Sequence, residues 1–227
     1  MNSRKVTYCL GIIILITSLV WADLPDGFVY VKDSIPEAII DMRYCTNDNF
    51  LGTSVDGYNE ARPILTEKAA GALKKVENEL SAYGFGIKIF DAYRPQRAVN
   101  HFVKWAKDLD DTTMKYKYYP DVDKKDLFKE GYIADRSSHS RGSTVDLTIM
   151  CFEEDTTYEL DMGSGFDYFG PKSWTKSRAV SSQQRANRLL LKEIMIKYGF
   201  RPYSREWWHF TFDNEPYPET YFNFPVE

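Results

Sequence analysis

Apolar and polar positions along the chain follow two periods. Residues 145–149 (Val-Asp-Leu-Thr-Ile) alternate with the step of a strand, placing Asp146 on the face opposite Val145 and Leu147. Residues 28–31, 38–44 and 86–91 also read as strands. From Thr66 and Glu67, Ala69, Ala70, Leu73, Val76 and Leu80 recur at helical spacing until Gly84 stops them. A second helix starts at Pro95, whose missing N–H costs little there, and turns Ala98, Phe102 and Trp105 inward. A third spans 181–199, with Ala186, Leu189, Leu190, Ile194, Met195 and Tyr198 on the predicted inner face and Gly199 ending it. Residues 200–203 and 207–212 are two more strands, expected to pair with the Asp146 strand. Between these elements lie a glycine-marked loop at 47–58, an acidic turn at 153–160 and a polar excursion at 107–135. The excursion is expected to be partly helical at 124–130 and to run over the surface above the site. Helices packed on a mostly antiparallel sheet make this a single α+β domain over 23–227.

Composition narrows the classes. A chain of 227 residues suffices for one full core. Its 43% hydrophobic and 15% aromatic content argues against disorder, and a formal charge of −4 provides no basic footprint for nucleic acid. Residues 1–22 differ from the rest. Arg4 and Lys5 precede an apolar run of about 15 residues, short for a membrane span, and Val20 and Ala22 suit a cleavage site before Asp23. This reads as a signal peptide, leaving no membrane span after cleavage and an exported protein, periplasmic or secreted. Cys9 goes with it. The remaining pair, Cys45 and Cys151, in an exported chain invites a disulfide, against the alternative of two buried free thiols.

The chemistry starts from scarcity: the chain has three histidines, His101, His139 and His209. His139 lies seven residues before Asp146, with Gly142 between them where a backbone reversal is cheapest. Such a reversal would fold the imidazole over the strand carboxylate, and His209 would complete a three-ligand set with an open fourth position. Glu206, three residues before His209, is the candidate base. Positions i and i+3 of a strand face opposite sides, so Glu206 must sit in a turn or bulge at the strand entry. Taken alone, this spacing fits equally a surface acid and a core histidine packed by Trp207 and Trp208. His101 has no motif around it and reads as an ordinary histidine.

Together the strings are specific. Ser-Ser-His139-Ser-Arg-Gly-Ser-Thr-Val-Asp146 and Glu206-Trp-Trp-His209 resemble the two zinc motifs of the VanX-type D-alanyl-D-alanine dipeptidases. These belong to a wider group of zinc D,D-peptidases with SxHxxGxAxD and ExxH motifs, in which Ala usually stands where this chain has Thr144. The likeness continues, in order, through Asp41-Met-Arg-Tyr44, Asn49-Phe-Leu-Gly52, Asp91-Ala-Tyr-Arg94-Pro, Met162-Gly-Ser-Gly-Phe-Asp167 and Tyr221-Phe-Asn-Phe-Pro-Val226.

The resemblance implies one Zn2+ per chain on His139, Asp146 and His209, with Glu206 as base. It implies that Arg94 holds the oxyanion and that Asp167 receives the ammonium of a small D,D-dipeptide. Tyr44 and Ser137 match pocket-lining positions. Asp91 is read as a carboxylate that positions Arg94 or a histidine. The implied reaction is hydrolysis of D-alanyl-D-alanine, in turnover or recovery of wall-derived dipeptide outside the cytoplasm. Two alternatives stay open. A D,D- or L,D-carboxypeptidase of peptidoglycan stems uses the same motifs, although an excursion capping the pocket favours the smaller substrate. A non-catalytic zinc-binding cell-wall module is the other, and Glu206 with Arg94 argues against it.

Overall fold

In the computed structural model, which describes residues 24–227, the strand carrying Asp146 is the centre of the molecule. This strand, β5 (Thr144–Phe152), is buried along its first seven residues, so both of its faces are covered. β4 (Phe85–Asp91) and β8 (His209–Phe212) pair with it antiparallel on either side. The register brings Asp91 opposite Asp146, and Asp146 opposite His209. A bulge between Ile89 and Asp91 shifts that end of β4. Three residues of the expected chemistry thus share one row across three strands.

The sheet is completed by β2 (Ile39–Ile40), parallel to β4, by β7 (Phe200–Pro202) on the outer edge of β8, and by β6 (Thr157–Glu159) on the far end of β5. β7 was expected beside the Asp146 strand. β8 already occupies that edge of β5, so β7 pairs one strand further out. A second, two-stranded sheet joins β1 (Phe28–Tyr30) to β3 (Ile64–Thr66). Neither β3 nor β6 was anticipated, and at three residues each they are too short to show a period. The strand expected at 38–44 is cut to two residues. Beyond it the chain tightens into a 3-10 turn, Arg43–Cys45, which buries Tyr44.

Helix α1 is a single turn (Val31–Ser34) that ends the first predicted strand early. α2 (Glu67–Ser81) and α3 (Gln96–Lys107) bury the apolar positions their spacing predicts. α5 (Ser182–Lys197), with Ser181 and Gln184 in a capping box, keeps Ile194 and Met195 inward as expected but leaves Ala186, Leu189 and Leu190 outside. Leu189 and Leu190 are 54% and 40% exposed, while Asn187, Arg188 and Leu191 are buried. Arg188 is the cause, because its guanidinium donates to the carbonyls of Met162, Lys172 and Trp174, three loop groups without a strand partner. The 107–135 excursion holds the one-turn α4 (Lys115–Tyr118) and buries Tyr118, Tyr119, Leu127 and Ile133, so it packs rather than merely covering.

The expected Cys45–Cys151 bridge does not form, and both thiols are free. Cys151 pairs with Phe85 at the start of β4, whereas Cys45 lies past its other end. Six strand residues span about 20 Å, and a disulfide needs Cα atoms within about 7 Å. Cys45 donates instead to the carbonyl of Glu60 at 3.1 Å, and burial pushes its thiol up to about 12. The segment read as a signal peptide lies outside the described residues.

Candidate active site

The reversal expected at Gly142 is a 3-10 turn, Ser138–Arg141. Ser137 caps its start, accepting a hydrogen bond from the His139 N–H at 3.3 Å. Gly142 closes it in the left-handed region, φ 77°, donating to the His139 carbonyl at 2.9 Å. Glycine is required there twice over, since a Cβ would also sit 2.2 Å from the Phe28 ring.

The turn lowers His139 onto Asp146. His139 Nε2 is 3.3 Å from Asp146 Oδ2 and 3.2 Å from His209 Nδ1, and His209 Nδ1 is 3.0 Å from Asp146 Oδ1. Each ring's other nitrogen is engaged outward. His139 Nδ1 lies 2.6 Å from the Ala92 carbonyl and must donate to it, while His209 Nε2 lies 3.3 Å from Ser138 Oγ. Hydroxyl contacts continue from Ser138 to Thr211 at 3.4 Å and from Thr211 to Thr144 at 2.9 Å. The residue that departs from the wider motif thus ends a polar chain behind His209.

The Ala92 carbonyl fixes the His139 tautomer and leaves its Nε2 lone pair facing inward, and a His209 Nε2–H donating to Ser138 leaves the Nδ1 lone pair there as well. Asp146 Oδ1 is buried and accepts no hydrogen bond. An orphaned carboxylate oxygen in the interior is costly unless a cation takes it. One ligand atom from each of His139, Asp146 and His209 lies within 4.8 Å of the others. Two imidazoles with fixed outer hydrogen bonds and one carboxylate are a donor set that fits a divalent metal, zinc in particular. Burial raises the Asp146 carboxyl, but the two imidazoles outweigh it and hold it well below the usual carboxylate range. Burial lowers His139. It would lower His209 too, but Asp146 outweighs burial and raises that ring.

Glu206 occupies the turn between β7 and β8, as the i, i+3 argument requires, with Oε2 3.5 Å from His209 Nδ1. Burial is the main cause that pushes its carboxyl up to about 7. Arg94 comes from the loop after β4. Its Nε and Nη2 lie 2.9 and 2.8 Å from Asp91 Oδ2, and Nη2 is 3.6 Å from Asp146. Asp91 is wholly buried and takes the Tyr58 hydroxyl on its other oxygen at 2.7 Å. Asp167 is the one non-glycine with positive φ among the described residues, at 58°. It is buried and accepts from the Tyr44 hydroxyl at 2.8 Å, and burial pushes its carboxyl well above the usual range.

These groups line a cavity of about 250 Å³. Tyr44, Arg94, Ser137, His139, Asp146, Asp167, Glu206 and His209 all reach it, and residues 131–134 of the excursion form part of its wall. His101 is elsewhere, accepting the Asp56 N–H at 3.2 Å. Sequence reasoning missed Ser138, the Ala92 carbonyl and Tyr58 as partners of the site. Ser138 stood inside the motif and was readable as a neighbour of His139. A backbone carbonyl and a tyrosine more than thirty residues from its carboxylate left no such sign.

Two imidazoles and a carboxylate meeting beside a free acid in a small cavity make the centre of a metal-dependent hydrolase. The family model for D-Ala-D-Ala dipeptidases, Peptidase M15, matches residues 25–227. The D-alanyl-D-alanine dipeptidase of Enterococcus faecalis is 40% identical over 203 residues, 89% of this chain and 100% of the relative. That of Streptomyces coelicolor is 42% identical over 200 residues, 88% and 98% of the two chains. The Escherichia coli dipeptidase is 34% identical over 178 residues, 77% and 79%. The chain belongs to the D-Ala-D-Ala dipeptidase family of M15 metallopeptidases.

Proposed function

We propose that this enzyme hydrolyses D-alanyl-D-alanine to two D-alanines, with one zinc ion held by His139, Asp146 and His209. The observation that carries the reading is Asp167. A buried carboxylate in a cavity of about 250 Å³ that also holds the three converging donors suits the free ammonium of a dipeptide. A longer stem peptide has an amide at that position, with neither the charge nor the space. This favours the dipeptidase over a carboxypeptidase.

Bound zinc supplies Lewis-acid polarisation of a water and of the scissile carbonyl. The other tasks fall to the chain. Glu206 takes the proton of the attacking water and returns it to the leaving amine as the C–N bond breaks, and a carboxyl near 7 serves both directions. Arg94, held by Asp91, directs N–H groups at the oxygen that gains negative charge. Tyr44 orients Asp167 toward the ammonium. Ser137 shapes the His139 turn and offers its hydroxyl to the substrate from the cavity wall.

The deciding experiment is alanine release by the zinc-loaded protein from D-Ala-D-Ala, L-Ala-L-Ala and a pentapeptide stem ending in D-Ala-D-Ala. Cleavage of the free D,D-dipeptide alone is expected. Cleavage mainly of the stem would make the enzyme a carboxypeptidase, and silence on all three with metal bound would leave a binding module.

Export and a role in turnover of wall-derived dipeptide belong to the same proposal, supported by the charged and apolar pattern of residues 1–22. N-terminal sequencing of the protein from its native host is expected to begin at Asp23. An intact Met1 in the cytosolic fraction would refute export.

A further inference from the structure

The cavity wall carries two guanidinium groups, and only one of them is already committed to a carboxylate. Asp146, Asp167 and Glu206 bring three carboxylates, while Arg94 and Arg136 bring the two guanidinium groups. Arg94 is already bound, with two of its nitrogens on Asp91 and its side chain only 12% exposed. Arg136 is different. Among the described residues no carboxylate lies within ion-pair distance of it, and its guanidinium rests on the Tyr221 ring, 4.9 Å from the centroid. Tyr221 is held from its other contacts too: Arg141, itself paired to Glu215, lies 5.7 Å from the same ring. A guanidinium seated over a ring face makes that contact without using its N–H groups, which stay available for a two-point grip on a carboxylate.

The position along the chain fits the length of a dipeptide. Arg136 directly precedes Ser137 and stands three residues from His139, a span of at most about 10 Å. One substrate residue beyond the scissile bond and the arginine side chain close that distance between them.

We propose that Arg136, at the exposed rim of the cavity, receives the C-terminal carboxylate of the dipeptide and so selects substrates whose second residue ends in a free acid. This rests on the dipeptidase reading and adds a specificity residue to it. Asp167 reads one end of the zwitterion and Arg136 the other, so both termini must be free. Because the contact is made equally in the ground and transition states, its loss raises KM and leaves kcat nearly unchanged.

The test compares D-Ala-D-Ala with D-Ala-D-Ala amide on the zinc-loaded wild type, Arg136→Gln and Arg136→Lys. Arg136 is exposed, so the variants are expected to fold, which an unchanged Tm checks. The wild type is expected to prefer the acid. Arg136→Gln should raise KM for the acid about tenfold, leave KM for the amide alone, and thereby lose the preference. Arg136→Lys should recover part of it, since the charge remains. If Arg136→Gln keeps the wild-type KM and the wild-type preference, or if the wild type shows no preference, the assignment is wrong while the dipeptidase reading stands. If the wild type cleaves neither compound, both fall.

Discussion

Asp91 and Arg94 form a buried ion pair in which one carboxylate oxygen takes two guanidinium nitrogens, at 2.9 and 2.8 Å, while the other takes the Tyr58 hydroxyl. Both oxygens are engaged, so Arg94 is held from behind and cannot swing its plane out of the cavity. Removing the charge leaves a guanidinium buried without its counter-ion. Asp91→Asn is expected to cost about 3–5 kcal/mol of stability and about a hundredfold in kcat, read from urea unfolding and alanine release. Tyr58→Phe removes one hydrogen bond to a charged group and should cost only about 1.5–3 kcal/mol.

Glu206 sits beside the donor cluster without completing it. Glu206→Ala is therefore expected to retain one zinc per chain by elemental analysis while kcat drops about 10²–10⁴-fold. A zinc-replete Glu206→Ala protein with full activity would remove Glu206 from the chemistry.

The metal reading predicts a linkage between occupancy and stability. Stripping with a chelator should abolish activity and lower Tm, since saturation at a thousand times Kd is worth about 4 kcal/mol. Zinc should restore both. His139→Ala is expected to lose both the bound metal and the zinc-dependent rise in Tm.

Ser138 supports His209 from outside the cluster. Ser138→Ala should weaken zinc about 10–100-fold in a chelator competition with little change in fold. Thr144→Ala, two hydroxyls further back, should show a smaller effect in the same direction.

The Gly142 turn gives a prediction of stability alone. Gly142→Ala forces φ 77° on an L-residue and drives a methyl into Phe28, at 2.2 Å. A loss of about 1–3 kcal/mol from the backbone is expected by thermal unfolding, with more from the clash. Pairing it with Phe28→Ala should relieve the clash and not the backbone cost, so Gly142→Ala should still destabilise a Phe28→Ala protein.

What the chain discloses in advance is what depends on local spacing. α2, α3, β4, β5 and the His139 turn follow from periodicity and one glycine, and the i, i+3 rule alone puts Glu206 in a turn. What stayed hidden depends on partners distant in sequence. The first half of α5 buries Arg188 rather than Leu189 and Leu190, because Arg188 satisfies carbonyls at 162, 172 and 174, and no helical period announces a buried arginine. The cysteines looked like a pair in composition and lie at opposite ends of β4. β3 and β6 exist through their neighbours, with too few residues to signal themselves.

The row Asp91, Asp146, His209 has a consequence for how the site comes into being. Its members arrive from β4, β5 and β8, with His139 delivered by a turn that leans on β1 and β3. A slip of one residue in either pairing would send a side chain to the opposite face of the sheet. The constellation spans residues 91–209, so a nascent or half-folded chain offers a metal only scattered ligands. Metal capture should coincide with the docking of β8, the last of the three strands to leave the ribosome.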